Sequence, residues 1–151
     1  MKAAIGTALA LAIWAGPAAA QVITKQYDDG GVYEGTFRNG LQHGQGSYVL
    51  PNGYRYEGDW VEGQIMGQGL HQGRGVLTQA NGYRYEGDWN AGVKEGQGKI
   101  TYPDGATYEG AMLAGQRAGQ GKLVMSDGLT YEGVWAAGQM SGSGVLVQPT
   151  G

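Results

Sequence analysis

Five glutamates recur within the tripeptide Tyr-Glu-Gly, at Glu34, Glu57, Glu86, Glu109 and Glu132. A row of carboxylates could hold a cation or exchange protons. Spacing decides against a shared ion: with two strands per repeat, successive carboxylates stand roughly 10 Å apart, whereas calcium ligands lie about 2.3 to 2.6 Å from the ion. A solvated or locally hydrogen-bonded stripe is expected instead. His43 and His71 form no close-spaced ligand pair, and the chain has no cysteine, so no metal site, thiolate nucleophile or disulfide is expected. His43 reads as an exposed side chain and His71 as part of a loop insertion. The pairs Gly44/Gly46, Gly73/Gly75, Gly96/Gly98, Gly119/Gly121 and Gly142/Gly144 invite a phosphate-loop reading. None continues to the third glycine of the dinucleotide fingerprint or to Gly-Lys-Ser/Thr, and no helix follows whose N-terminus could hold an anion. No catalytic site and no cofactor is expected.

Aromatic side chains remain as the candidate chemistry. The chain has ten Tyr and four Trp against a single Phe. Two residues after each Tyr-Glu-Gly stands a large apolar residue: Phe37, Trp60, Trp89, Met112 and Trp135. An uncovered column of Trp60, Trp89 and Trp135, flanked by Phe37, Tyr54 and Tyr83, would anchor an apolar segment of a protein partner or stack on a glycan ring. Arg55, Asp59, Arg84 and Asp88 fall on the opposite face, which favours a protein over a sugar. Tyr33, Tyr56, Tyr85, Tyr108 and Tyr131 read differently, as packing on the repeat glycines Gly35, Gly58, Gly87, Gly110 and Gly133.

The elements that must position these rings follow from periodicity. The Tyr-Glu-Gly copies are spaced 23, 29, 23 and 23 residues apart, the mark of a repeat array. The long interval contains an extra six-residue piece, Gly67 to Gln72. Asp29-Gly30, Asn52-Gly53, Asn81-Gly82, Asp104-Gly105 and Asp127-Gly128 separate the segments, and such dipeptides supply the positive φ angles of tight hairpin turns. In the strand after the turn, Tyr54, Tyr56, Gly58 and Trp60 share one face and Arg55, Glu57 and Asp59 the other. No helical stripe is available to cover the aromatic face. The reading is an all-β protein: a curved single-layer antiparallel sheet of tandem β-hairpins, with glycines leaving room for rings over neighbouring strands.

Composition agrees. Glycine supplies 31 of 151 residues, about three times its usual share. Leu, Ile, Val and Phe make up only about 17%, yet the net charge of -3 is too small for the disordered class. The scattered basic residues exclude a nucleic-acid footprint. Residues 1–20 read as a signal peptide: Met1-Lys2, an apolar run, Gly16-Pro17 and Ala18-Ala19-Ala20, with cleavage before Gln21. The apolar core is shorter than the roughly 20 residues of a spanning helix. The mature chain would carry nine basic and 13 acidic residues, a net charge of -4, and export without cysteine suits a periplasmic or extracellular location in a bacterium.

The run Tyr-Glu-Gly-x-Trp-x-x-Gly-x-x-x-Gly-x-Gly, as in Tyr85 to Gly98, resembles the MORN repeat, and the resemblance extends over residues 22 to 151. Five copies are read, with cores near 33–55, 56–84, 85–107, 108–130 and 131–151, so the domain would be 21–151. The resemblance implies an elongated, curved hairpin sheet whose grooved face takes up partner proteins, with lipid binding also claimed for the family. Met112 stands where an aromatic residue is expected, Phe37 replaces Trp in the first copy, and the six-residue insertion should bulge from one edge. A charge of -4 and the absence of a basic patch speak against anionic lipid. The functional expectation is a non-enzymatic interaction scaffold in the cell envelope, the alternative being a carbohydrate- or phospholipid-surface-binding module. The last strand, near Gly144 to Gln148, would present an open edge with Val145, Leu146 and Val147 available for self-association or for a partner's strand.

Overall fold

The structure is a computed structural model describing residues 20–63 and 71–150. The signal-peptide segment up to Ala19, most of the inserted piece and the side chain of His71 lie outside the described residues.

Eleven strands form one antiparallel sheet in strict chain order: β1 (Ile23–Gln26), β2 (Val32–Arg38), β3 (Leu41–Val49), β4 (Arg55–Gly63), β5 (His71–Thr78), β6 (Arg84–Asn90), β7 (Val93–Thr101), β8 (Thr107–Leu113), β9 (Gln116–Val124), β10 (Thr130–Ala136) and β11 (Gln139–Val147). No helix occurs among the described residues. This is the expected all-β array.

Glycine sets the geometry at its centre. Gly35, Gly46, Gly58, Gly75, Gly87, Gly98, Gly110, Gly121, Gly133 and Gly144 stand opposite one another from β2 to β11, an unbroken rib across ten strands. A β-carbon on Gly87 would come within 2.5 Å of Gly98 Cα, and one on Gly110 within 2.4 Å of Gly121 Cα. Real side chains cannot occupy such space, so the rib is a trench, and the repeat tyrosines lie in it.

The turns divide into two kinds, only one of which the sequence announced. At Tyr27–Gly31 and its four equivalents the amide before the turn donates across it, as in Tyr102 N to Ala106 O at 2.8 Å and Gly105 N to Tyr102 O at 3.0 Å. Only the glycine takes a positive φ there; the preceding Asn or Asp instead accepts an amide two residues on, as Asn52 does from Tyr54 at 3.0 Å and Asp104 from Ala106 at 2.9 Å. The expectation that both members of these dipeptides supply positive φ is therefore corrected. The two-residue turns with both φ positive lie on the other edge of the sheet, at Asn39-Gly40, Ala91-Gly92, Ala114-Gly115 and Ala137-Gly138. Three of them use alanine, which disfavours that conformation, and so gave no turn signal.

Past the glycine rib the register slips between Gly87 and Trp89, and likewise in the other repeats. The first glycine of each Gly-x-Gly takes up this bulge with φ between +56° and +110°. In β6, Asp88 accepts the Gln97 amide at 2.9 Å across the bulge, and in β4 Asp59 accepts that of Arg74 at 3.1 Å. Both aspartates had read simply as polar-face residues.

Candidate functional site

The aromatic face is built as a ladder. Tyr56 meets Trp60 of its own strand edge-on at 5.1 Å between ring centroids, and Trp89 of the next repeat at 5.6 Å. Tyr33 spans Phe37 and Trp60 in the same way, and Trp135 receives Tyr108 and Tyr131. Each tyrosine hydroxyl donates to the carbonyl three residues on, for example Tyr85 to Asp88 at 2.7 Å. Trp60 and Trp135 each donate their indole N–H at 3.0 Å to a rib carbonyl, of Gly46 and Gly121 respectively. Met112, 4% exposed, fills the aromatic position in the fourth repeat.

The tryptophans are consequently core, and the expectation of an uncovered column is corrected. Trp60, Trp89 and Trp135 are 1%, 7% and 3% exposed. Polar side chains from the strands after the Asn39-Gly40, Ala91-Gly92 and Ala114-Gly115 turns meet rings of this face. The Arg117 guanidinium stands 4.3 Å over the Trp135 ring, and Lys94 is the cross-strand partner of Trp89. Gln42 Nε2 reaches the Tyr27 hydroxyl at 3.1 Å and Lys94 Nζ the Tyr83 hydroxyl at 2.5 Å, and Arg117 lines a groove together with Tyr102. Position by position, these are one device: a polar strap over the ring ladder.

The accessible part of the face is a row along the Asp/Asn-Gly edge. Tyr54 and Tyr83 are half-buried there, and so are Tyr27, Tyr102 and Met125, which sequence reading did not single out. Tyr83 and Tyr102 meet edge-on at 6.1 Å. Their signal was available: each stands immediately before or after a turn in phase with the buried tyrosines. Phe37 is half-buried near the other end, 5.9 Å from Lys25 Nζ. A groove of about 580 Å³ lies between Tyr102, Ala106, Arg117, Leu123 and Met125. Burial raises the hydroxyls of Tyr54, Tyr83 and Tyr102 above their ordinary value.

The repeat tyrosines Tyr33, Tyr56, Tyr85, Tyr108 and Tyr131 are buried over the glycine rib. On the opposite face the five glutamates are exposed and alternate with other residues in register. From β6 onward the row runs Glu86, Lys99, Glu109, Lys122, Glu132. Opposite charges directly across strands stabilise modestly, and Arg84 beside Glu86, 2.6 Å away, holds that carboxyl below its usual range. Among the described residues no group of three or more acidic or histidine side chains is arranged to hold a metal. His43 departs from expectation: it is half-buried, with Nδ1 buried and unpaired.

Comparison with known proteins agrees with this geometry. The MORN repeat signature matches residues 33–53, 56–72, 68–82, 85–107, 108–130 and 131–151, most of the chain. The chain belongs to the MORN repeat family. Six MORN matches replace the five repeats read from Tyr-Glu-Gly alone, because the 29-residue interval is covered by two that overlap at 68–72, within the inserted piece. MORN arrays typically serve as protein- or membrane-binding scaffolds and are generally non-catalytic. A 48-residue segment is 48% identical to Alsin of Rattus norvegicus and 44% identical to Alsin of Homo sapiens, covering 28% of this chain and 3% of each relative. The likeness is thus one of repeats, and the chain spans about 3% of those relatives' length.

Proposed function

We propose that this MORN array is a non-enzymatic scaffold of the cell envelope that binds a protein partner along the row Tyr54, Tyr83 and Tyr102. The observation carrying this reading is the unequal fate of the aromatics. The tryptophans are buried and meet neighbouring tyrosine rings edge-on, whereas Tyr54, Tyr83 and Tyr102 are only half-buried, and Tyr102 lines a groove. Half-exposed tyrosines combine apolar area with a hydroxyl donor at small entropic cost, which is why they serve as contact residues. The pattern of residues 1–20 supports export. β11, hydrogen-bonded on one side only among the described residues, exposes Val145, Leu146 and Val147 at 63%, 57% and 54% and offers a second contact through strand pairing.

The test is affinity capture of partners from an envelope extract by the wild-type chain and by a Tyr54→Ala, Tyr83→Ala, Tyr102→Ala variant, with circular dichroism on both. Loss of a discrete partner with the β spectrum retained is expected. Equal capture of that partner by the variant overturns the assignment of the row.

A further inference from the structure

The sheet follows one rule of neighbours. Each of β3, β5, β7 and β9 carries a Gly-x-Gly and lies between two strands that carry Tyr-Glu-Gly. On the side of the following repeat the register is the same every time: Tyr48 stands opposite Tyr56, Leu77 opposite Tyr85, Ile100 opposite Tyr108 and Leu123 opposite Tyr131, with glycine opposite glycine two residues away. The residues so covered, Tyr48, Leu77, Ile100 and Leu123, are 1%, 5%, 3% and 7% exposed. Leu146 holds their position in β11 and is 57% exposed. One strand makes the difference, for β11 pairs with β10 on one side and with no described residue on the other. Such an edge is a template for a further strand.

β1 departs from the rule at the other end of the sheet. It lies against β2 where a Gly-x-Gly strand belongs, yet it sets Ile23 opposite Gly35 and Lys25 opposite Tyr33. The inner junctions hold glycine and a buried apolar residue at those two positions, as Gly121 opposite Gly133 and Leu123 opposite Tyr131. β1 also stops short. It pairs with Val32 to Gly35 only, whereas the ladder of β10 on β9 runs on through Val134 and Trp135. Ile23 stays 44% exposed. β1 is thus an imperfect cover on a strand that the rest of the array pairs with Gly-x-Gly.

We propose that β11 of one copy of the chain takes the place of β1 on β2 of the next copy, so that copies join head to tail into a longer sheet. In the register of β9 on β10, Gly144 then opposes Gly35 of the next copy, Leu146 opposes Tyr33 and Val147 opposes Val32. Ser143 and Gly142 carry the ladder on to Thr36 and Phe37, which β1 leaves unpaired. Val145 meets Glu34, a pairing the sheet already contains in Val76 opposite Glu86. The glycine rib continues across the joint, and Leu146 gains the cover that its four counterparts have. The array itself selects this occupant, because it shows what a Gly-x-Gly strand takes as neighbour, and β2 is the Tyr-Glu-Gly strand whose outer side holds a substitute. Two β11 strands paired about a twofold axis would set Gly-x-Gly against Gly-x-Gly, a junction found nowhere among the described strands. A head-to-tail contact is heterologous and extends rather than closing at two copies. It does not depend on the tyrosine row.

Thiol coupling tests the joint on the full chain, which has no cysteine of its own. Glu34 and Val145 are exposed and stand on β2 and β11, roughly 40 Å apart across one sheet; across the proposed joint they are cross-strand neighbours at about 5 Å. Chains with Glu34→Cys and chains with Val145→Cys are mixed and treated with a short bismaleimide. The mixture is expected to give a covalent dimer that neither variant gives alone, and the double variant Glu34→Cys, Val145→Cys to give trimers and longer ladders. Glu109→Cys mixed with Val145→Cys is expected to stay uncoupled. A dimer from Val145→Cys alone overturns the proposal in favour of tail-to-tail pairing. Equal coupling through Glu109→Cys overturns it as random collision, and no coupling in any mixture overturns it by leaving β1 in place on β2.

Discussion

The ring of Tyr85 rests directly on Gly98: a β-carbon on that glycine would stand 2.4 Å from Tyr85 Cε2. The same contact joins Tyr56 to Gly75, Tyr108 to Gly121 and Tyr131 to Gly144. It makes the sheet its own second layer, since rings that would otherwise need a covering helix are received into backbone left bare by glycine. A thin array with few Leu, Ile or Val gains a core this way.

The glycine rib should tolerate no side chain. In Gly87→Val the branched carbon meets Gly98 Cα and the Gln97 carbonyl at about 2.5 Å, so backbone must move, and a loss of at least about 1 to 3 kcal/mol is expected. Glu86→Ala removes only an exposed ion pair with Arg84, for which about 0.5 kcal/mol or less is expected. Thermal melts of the two variants check this; equal shifts would contradict the trench.

Trp60→Ala should act on stability before it acts on binding. The residue is 1% exposed, contacts Tyr33, Tyr48 and Tyr56, and bonds the Gly46 carbonyl. Truncating such a ring costs about 3 to 5 kcal/mol. Urea unfolding measures it, and a near-wild-type midpoint would show that the ladder is not the core.

Much of this was legible in the residues themselves. Tyr-Glu-Gly at a fixed period, with alternating faces and Gly-x-Gly, leads to the hairpin array and to the buried role of Tyr33, Tyr56, Tyr85, Tyr108 and Tyr131. What sequence could not convey was cover. Trp60, Trp89 and Trp135 read as exposed because no helix was available above them, yet neighbouring tyrosine rings enclose them and Arg117 lies over Trp135, side chains whose direction depends on three-dimensional register. Ala91, Ala114 and Ala137 hid their turns for a different reason: tertiary pairing on both sides of the loop overrides an unfavourable local preference.

That conflict gives a stabilising substitution. Ala91 adopts φ +48°, and the equivalent Asn39 in the first repeat adopts φ +51°. Asparagine tolerates this region better than alanine, so Ala91→Asn is expected to raise stability by roughly 0.5 to 1 kcal/mol, a size typical of relieved backbone conflict. An unchanged or lowered melting temperature would contradict the strain assigned to that turn.

Alkali should unfold the sheet cooperatively. Burial raises the hydroxyls of Tyr33 and Tyr48 from 10.0 to about 12, helped at Tyr48 by the nearby Asp29 carboxylate, and raises Tyr56 and Tyr85 further. The folded state thus keeps protons that the unfolded chain releases from about pH 10. The stabilisation is complete below that pH and falls as pH rises toward 12. Tyrosinate absorbance and β-sheet circular dichroism should change together across this window. Tyrosinate forming at its ordinary pH while the sheet persists would contradict the burial of the ladder.

Site-directed photo-crosslinking in living cells tests the central claim most directly, because it reports which face touches a partner without disturbing the core. A benzophenone amino acid is placed singly at Tyr54, Tyr83 or Tyr102 on the aromatic face, and at Glu86 or Glu109 on the charged face. Discrete adducts to one protein from the tyrosine positions, absent from the glutamate positions, are the expected result. Adducts confined to the glutamate positions would contradict the account and move the binding surface to the charged face.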